Sequence, residues 1–140
     1  MYIIELNNGL NGIVDDVDAE LAKKHTWHAS KYGNTYYIAR TDRAGGTKKT
    51  VLLHREIMQP KGALVVDHIN RIGVDNRRKN LRLCTKSENS QNLNRRGGVD
   101  EYIKGKWRYR VTVRGKGYKK HGFRSEADAR AALVDFIKTT

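Results

Sequence analysis

Cysteine and proline are nearly missing from this chain, with one of each among 140 residues. Cys84 alone can form neither an internal disulfide nor a Cys-only zinc site, and it reads as a small buried hydrophobe. A single proline, Pro60, excludes collagen-like and Pro-rich classes. Nowhere do apolar residues approach the roughly 20 in a row that cross a bilayer, so no membrane partner is expected. The opening Met1-Tyr2-Ile3-Ile4-Glu5 turns acidic at once, unlike the basic start and long apolar run of a secretion signal. These absences point to a reducing, cytoplasmic setting. The length suits one domain or two very small ones.

Positive charge is what the chain has in excess, with 28 Lys+Arg against 15 Asp+Glu, a formal net charge of +13. Mean hydropathy is −0.75. The charge is uneven: residues 1–46 carry a net −1, residues 47–94 a net +6 and residues 95–140 a net +8. A basic surface confined to two-thirds of a chain suits a polyanion, because Lys and Arg that neutralise phosphates release condensed counterions. A generic solvated basic surface would look the same by composition alone.

Turn residues and periodicity predict a mixed fold. Residues 2–6 and 13–17 read as strands around Asn7-Asn8-Gly9 and Asn11-Gly12, and residues 18–24 as a short helix. Strands follow at 27–29 and 36–40, then one at 50–53 that leads into Arg55-Glu56-Ile57-Met58. The run Ala63-Leu64-Val65-Val66 ends abruptly in Asp67-His68, a polar loop spans 69–79, and a strand at 81–85 precedes a polar helix at 86–93. Asn94-Arg95-Arg96-Gly97-Gly98 reads as a linker and domain boundary. Beyond it, Trp107, Tyr109, Val111 and Val113 alternate with Arg108, Arg110 and Thr112, so the two sets face opposite sides of a strand. Ser125-Glu126-Ala127-Asp128 has capping-box spacing, and its helix places Ala129, Ala132, Leu133, Phe136 and Ile137 on one side.

Polar groups gather within residues 54–94. His54 follows three apolar residues, and Asn80 and Asn89 lie 12 and 21 residues beyond His68. A carboxylate, an imidazole and carboxamides can together hold one hard cation, Mg²⁺ or Mn²⁺, and activate one water. On spacing alone, a turn-rich polar surface is the favoured reading over a catalytic metal site. A zinc site is not supported, because His25, His28 and His121 lack paired ligand spacing. Asp75-Asn76 reads as an Asx turn, and Asp15, Asp16 and Asp18 as a turn and helix start.

The run Val66-Asp67-His68-Ile69-Asn70, then Asp75-Asn76-Arg77, Asn80-Leu81-Arg82, Thr85 and Asn89 resembles the HNH nuclease motif. The upstream Leu53-His54-Arg55 matches as well, so the likeness covers residues 50–94. The nearest variant is that of phage and intron homing endonucleases, in which Asn replaces the final His. The resemblance implies an α+β fold with a ββα-metal (His-Me) finger inside a nuclease module spanning residues 1–94. It implies Asp67 and Asn89 as ligands of one divalent ion, His68 as general base, and Asn80 as the residue orienting His68. Double-stranded DNA would be the partner, the protein a monomer or weak homodimer, and the host a bacterial cytoplasm if the chain is phage-encoded.

Residues 98–140 resemble, less closely, the ethylene-response-factor-type DNA-binding domain, three strands followed by a packed helix. The matching residues are Gly105-Lys106-Trp107-Arg108, Gly122-Phe123 and Glu126-Ala127-Asp128-Ala129-Arg130-Ala131-Ala132. The first strand, near 99–103, reads as short and weak. DNA contacts are expected from His54, Arg55, Arg77, Arg95, Arg96, Arg108, Arg110, Arg114, Lys116, Lys119 and Lys120, with a structural hydrogen bond to the finger an equal reading for His54. The expectation is a metal-dependent endonuclease of duplex DNA, with a DNA-binding regulator carrying an inactive finger as the rival.

Overall fold

The computed structural model describes residues 1–93, 98–113 and 116–140, with the side chains of 91–93 and 112 left aside. The described residues form small antiparallel sheets and short helices, a mixed α+β chain. None of the helices is long and apolar enough to cross a membrane. Strands β1 (Tyr2–Glu5) and β2 (Asn11–Val14) make a hairpin whose turn uses Gly9 at φ 76°, a left-handed angle that favours glycine. After helix α1 (Ala19–Lys23), β3 (His28–Tyr32), β4 (Thr35–Asp42) and β5 (Lys49–Leu52) form a three-stranded sheet.

The chain then departs from expectation. Strand β5 stops at Leu52, one residue before the expected Leu53, and Leu53–Met58, for most of which the sequence predicts no element, is a helix, α2. Leu53 and Ile57 sit one turn apart and are both buried, so helical spacing puts both into the core where a strand would send them to opposite faces. Next come β6 (Val65–His68) and β7 (Leu81–Cys84), paired from Val65↔Cys84 to His68↔Leu81, and then α3 (Lys86–Leu93).

In the last third, β8 (Gly98–Ile103), β9 (Lys106–Val113) and β10 (Lys116–Phe123) form a sheet, with β9 in the middle. Strand β8 is six residues long and pairs from Gly98↔Arg110 to Ile103↔Lys106, fuller than the short element expected there. Helix α4 (Glu126–Lys138) starts as predicted: Ser125 Oγ accepts the Asp128 N–H at 3.1 Å. Its Ala129, Leu133 and Ile137 pack with Val99, Tyr109 and Val111 of the sheet.

The halves on either side of the expected 94–98 boundary share a hydrophobic cluster. It runs from Leu10, Ile13, Ile72 and Val74 to Val99, Leu133 and Val134. Polar contacts cross as well. Arg130 lies over the Tyr36 ring at 4.6 Å and donates to the Asn34 carbonyl at 3.0 Å. Residues 94–97, expected as the linker, lie outside the described residues.

Candidate active site

The β6–β7 loop holds an unusual density of buried polar side chains: Asn70, Asp75, Asn76, Arg77 and Asn80 are all under 9% exposed. Groups buried this deeply need hydrogen-bond partners, and here they bond to one another. Asp75 receives Arg77 Nε and Nη2, each at 2.8 Å, and Asn70 Nδ2 at 2.9 Å. Asn80 Oδ1 accepts the Asn70 N–H at 2.9 Å, while its Nδ2 donates to the Asp75 carbonyl at 2.8 Å. The N-terminal segment braces the loop from outside. Ile13 bonds the backbone of Val74 and Asn76, and Asp15 and Asp18 hold the Arg78 backbone and guanidinium. The acidic cluster therefore serves the loop besides starting a helix. Gly73 sits where a Cβ would strike the Tyr36 carbonyl and the Tyr37 ring, so only glycine fits against β4.

This scaffold fixes His68 at the end of β6. Its Nε2 lies 2.7 Å from Asn76 Oδ1, and because a carboxamide oxygen only accepts, Nε2 carries the proton and Nδ1 is the basic nitrogen. Burial pushes His68 below the ordinary histidine range, while Asn76 and the Asp75 and Asp67 charges pull the other way. His54 stands edge-on to it, ring centroids 4.8 Å apart, and Tyr37 lies 5.5 Å from His68 and 5.4 Å from His54. Burial, then the neighbouring His68 and Arg55, push His54 down to about 3. Burial and the Asp67 charge push Tyr37 up, which keeps its hydroxyl protonated.

Beside this group opens a cleft of about 520 Å³ lined by Asp67, His68 and Asn89, with Tyr37, Arg71 and Arg110 on its walls. Helix α3 packs on β6, which carries Asn89 to this edge. Asp67 Oδ2 pairs with Arg82 across the hairpin, Nε at 2.9 Å and Nη2 at 2.8 Å. Among the described residues no cluster of three His, Cys, Asp or Glu is placed to hold a metal. The cleft instead offers the Asp67 carboxylate and the Asn89 carboxamide, its other carboxylate, Asp100, being held by Arg108 and Arg110. Oxygen donors this sparse fit a hard ion that keeps several waters and takes substrate phosphate as a ligand, the habit of Mg²⁺.

The structure thus brings Asp67, His68 and Asn89 together. Asn80 bonds within the loop, its carboxamide tying the Asn70 and Asp75 backbone, while the His68 imidazole hydrogen-bonds Asn76, a motif residue read as part of a turn. Two residues expected on the DNA side are corrected. His54 is 6% exposed against Tyr37 and His68, and Arg77 is 7% exposed with its fork held by Asp75, so neither is an exposed cation for phosphate. Arg55, Lys116, Lys119 and Lys120 are exposed, while Arg108 and Arg110 are partly covered and bound to Asp100. Arg95, Arg96 and Arg114 lie outside the described residues. The sequence reading missed Asn76, Tyr37, Arg71 and the β3–β4 tip at 32–35, which also lines the cleft. Asn76 had a signal, being one more carboxamide in a loop built of them, whereas Tyr37 had none near His68 in the chain.

Residues 59–91 match the family model described as HNH endonuclease. That segment holds β6, the loop, β7 and most of α3, and so Asp67, His68, Asn76, Asn80 and Asn89. The match supports a nuclease of the HNH family. No curated protein and no solved structure matches the chain.

Proposed function

We propose that the protein is a metal-dependent DNA endonuclease that hydrolyses a phosphodiester bond in duplex DNA, of the nicking or homing kind its likeness to phage-type enzymes implies. The observation that carries this reading is His68, held by Asn76 through Nε2 in the same cleft as Asp67 and Asn89. The β6–loop–β7–α3 segment then acts as a ββα-metal finger. His68 Nδ1 takes a proton from the attacking water, whose oxygen bonds phosphorus as the P–O3′ bond breaks. Asn76 keeps the ring aligned, and the buried, uncharged state of His68 keeps its lone pair ready near neutral pH. Asp67 and Asn89 would hold one Mg²⁺ or Mn²⁺, which supplies Lewis-acid stabilisation of the phosphate and the leaving oxygen. Arg55, the β10 lysines and the β9 arginines supply phosphate affinity. A monomer has one such site and cuts one strand; cutting both takes two copies.

The Arg82–Asp67 pair favours one rival, a DNA-binding regulator whose finger is disabled, because Arg82 already holds one oxygen of the carboxylate assigned to the metal. Supercoiled plasmid with Mg²⁺, with Mn²⁺ and with EDTA separates the two. The proposal expects metal-dependent nicking that His68→Ala lowers about 10²–10⁴-fold while duplex affinity stays unchanged. Binding without nicking in either metal would leave the regulator.

A further inference from the structure

The outer face of the C-terminal sheet turns toward the catalytic cleft. Register places Asp100 of β8 opposite Arg108 of β9, and Gly98 opposite Arg110. These polar side chains stand on the face away from α4, whose own side takes Val99, Tyr109 and Val111 into the core. Asp100 and Arg110 line the same cleft as Asp67, His68 and Asn89. There one carboxylate bridges two guanidiniums. Asp100 Oδ2 receives Arg108 Nη2 at 2.9 Å and Nε at 3.0 Å, and Oδ1 receives Arg110 Nη2 at 3.2 Å.

We propose that Arg108 and Arg110 form a second phosphate site of this cleft, and that Asp100 occupies it in the free protein as an internal stand-in for a DNA backbone phosphate. The inference rests on the endonuclease reading for its ligand, and three observations support it. Two guanidiniums share one carboxylate, which leaves a surplus positive charge around Asp100, and Asp100 and Arg110 line the cleft. Arg110 Nε is buried with no hydrogen-bond partner, so the site has more donors than a planar carboxylate can satisfy. A phosphodiester brings tetrahedrally disposed oxygens and is the better match to a pair of forks. Arg108 also lies over the Tyr102 ring at 5.4 Å, which holds its guanidinium in place when the carboxylate leaves. Binding DNA therefore exchanges an internal anion for an external one. The exchange weakens the grip on any duplex and favours one that also fills the rest of the cleft.

The test measures anisotropy of a labelled random-sequence duplex in EDTA across KCl concentrations, so that no cleavage is required and failure of the nuclease reading leaves the result interpretable. The full-length Asp100→Asn protein should bind roughly tenfold tighter than wild type, the scale of a charged hydrogen bond. Its log–log salt slope should be steeper by about 0.9–1.8, one or two more phosphates neutralised. Adding Arg110→Gln should cancel most of the gain, and Asp100→Glu should behave as wild type. An Asp100→Asn protein that melts like wild type but binds no tighter overturns the proposal. So does one whose duplex affinity is unchanged while millimolar inorganic phosphate raises its melting temperature, because the site then takes free phosphate. Should Asp100→Asn not fold, Arg110→Gln alone decides: a salt slope shallower by about 0.9 supports the site, and an unchanged slope overturns it.

Discussion

Of the aspartates gripped by arginine, Asp75 lies in the β6–β7 loop and Asp100 on the C-terminal sheet. Asp75 and Arg77 have side chains 1% and 8% exposed, and the pair is extended by Asn70 and Asn80 into a closed network. Asp100, 28% exposed, lines a cleft, and Arg108 beside it is 26% exposed. The local chemistry is the same, a carboxylate in a guanidinium fork, but the surroundings differ. In the loop the pair is buried within its own hydrogen-bond network, so it is structural and fixes the backbone that carries Asn76 to His68. On the sheet, solvent or an incoming anion can replace either partner, so the pair is exchangeable.

The largest expected effect breaks the buried member. Asp75→Ala leaves the Arg77 charge and the Asn70 amide without a partner, which should cost about 3–5 kcal/mol of stability, read as a lower urea midpoint. Nicking should fall with it even at temperatures where the protein stays folded, since the loop holding Asn76 loosens. A stability loss under about 1 kcal/mol would show that the two pairs do not differ as burial says.

Histidines draw the same contrast. His54 and His68 are buried in the first half of the chain, while His121 on the sheet is exposed. Burial pushes His54 down to about 3 from an ordinary 6.5 and lowers His68 as well. The unfolded chain therefore binds protons that the folded protein refuses. For His54, stability is full above about pH 6.5 and falls as pH drops toward 3, by at most about 1.4 kcal/mol per unit, and the lowered His68 acts in the same direction. His54→Phe keeps a flat ring against Tyr37 and removes His54 Nδ1, a buried nitrogen without a partner. It should flatten that acid slope while leaving stability at pH 7 equal or higher, as measured by urea unfolding from pH 7 to 4. A slope unchanged in this variant would move the acid sensitivity elsewhere.

How far each region could be read from sequence follows the same division. The sheet was legible because its signals are local: strict alternation from Trp107 to Val113, and Ser125 three residues before Asp128. The strand–loop–strand–helix order of residues 65–93 was legible too, since the apolar runs end sharply in polar residues. Helix α2 was not, because β5 runs into it through Leu52 with no side-chain cap to mark the start. Partners inside the loop were also hidden. Asn76 and Asn80 are chemically identical, and only the fold decides that the first meets His68 while the second ties Asn70 to Asp75. Arg77 looked like a DNA contact because charge suggests exposure, yet its fork is filled two residues away by Asp75. The shared core of the two halves left no mark, since Leu10 or Val74 meeting Leu133 and Val134 has no sequence period.

The smallest expected effect is the stability change on removing the exposed carboxylate. Asp100→Asn keeps the shape and one acceptor oxygen, and the forks of Arg108 and Arg110 remain open to water. An ion pair this exposed contributes about 0–1 kcal/mol, and the charge repulsion left between the two arginines is screened by salt. The urea midpoint should therefore shift by less than a tenth of what Asp75→Ala causes if the pair adds nothing, and by about a third at most. The shift should shrink further as KCl is raised from 50 to 500 mM, over which the screening length falls from above to below ~10 Å. A loss of about 3 kcal/mol that persists in high salt would mean that Asp100 holds β8 against β9 as Asp75 holds its loop. The sheet would then be a second fixed scaffold, and an anion entering the cleft could not displace its carboxylate.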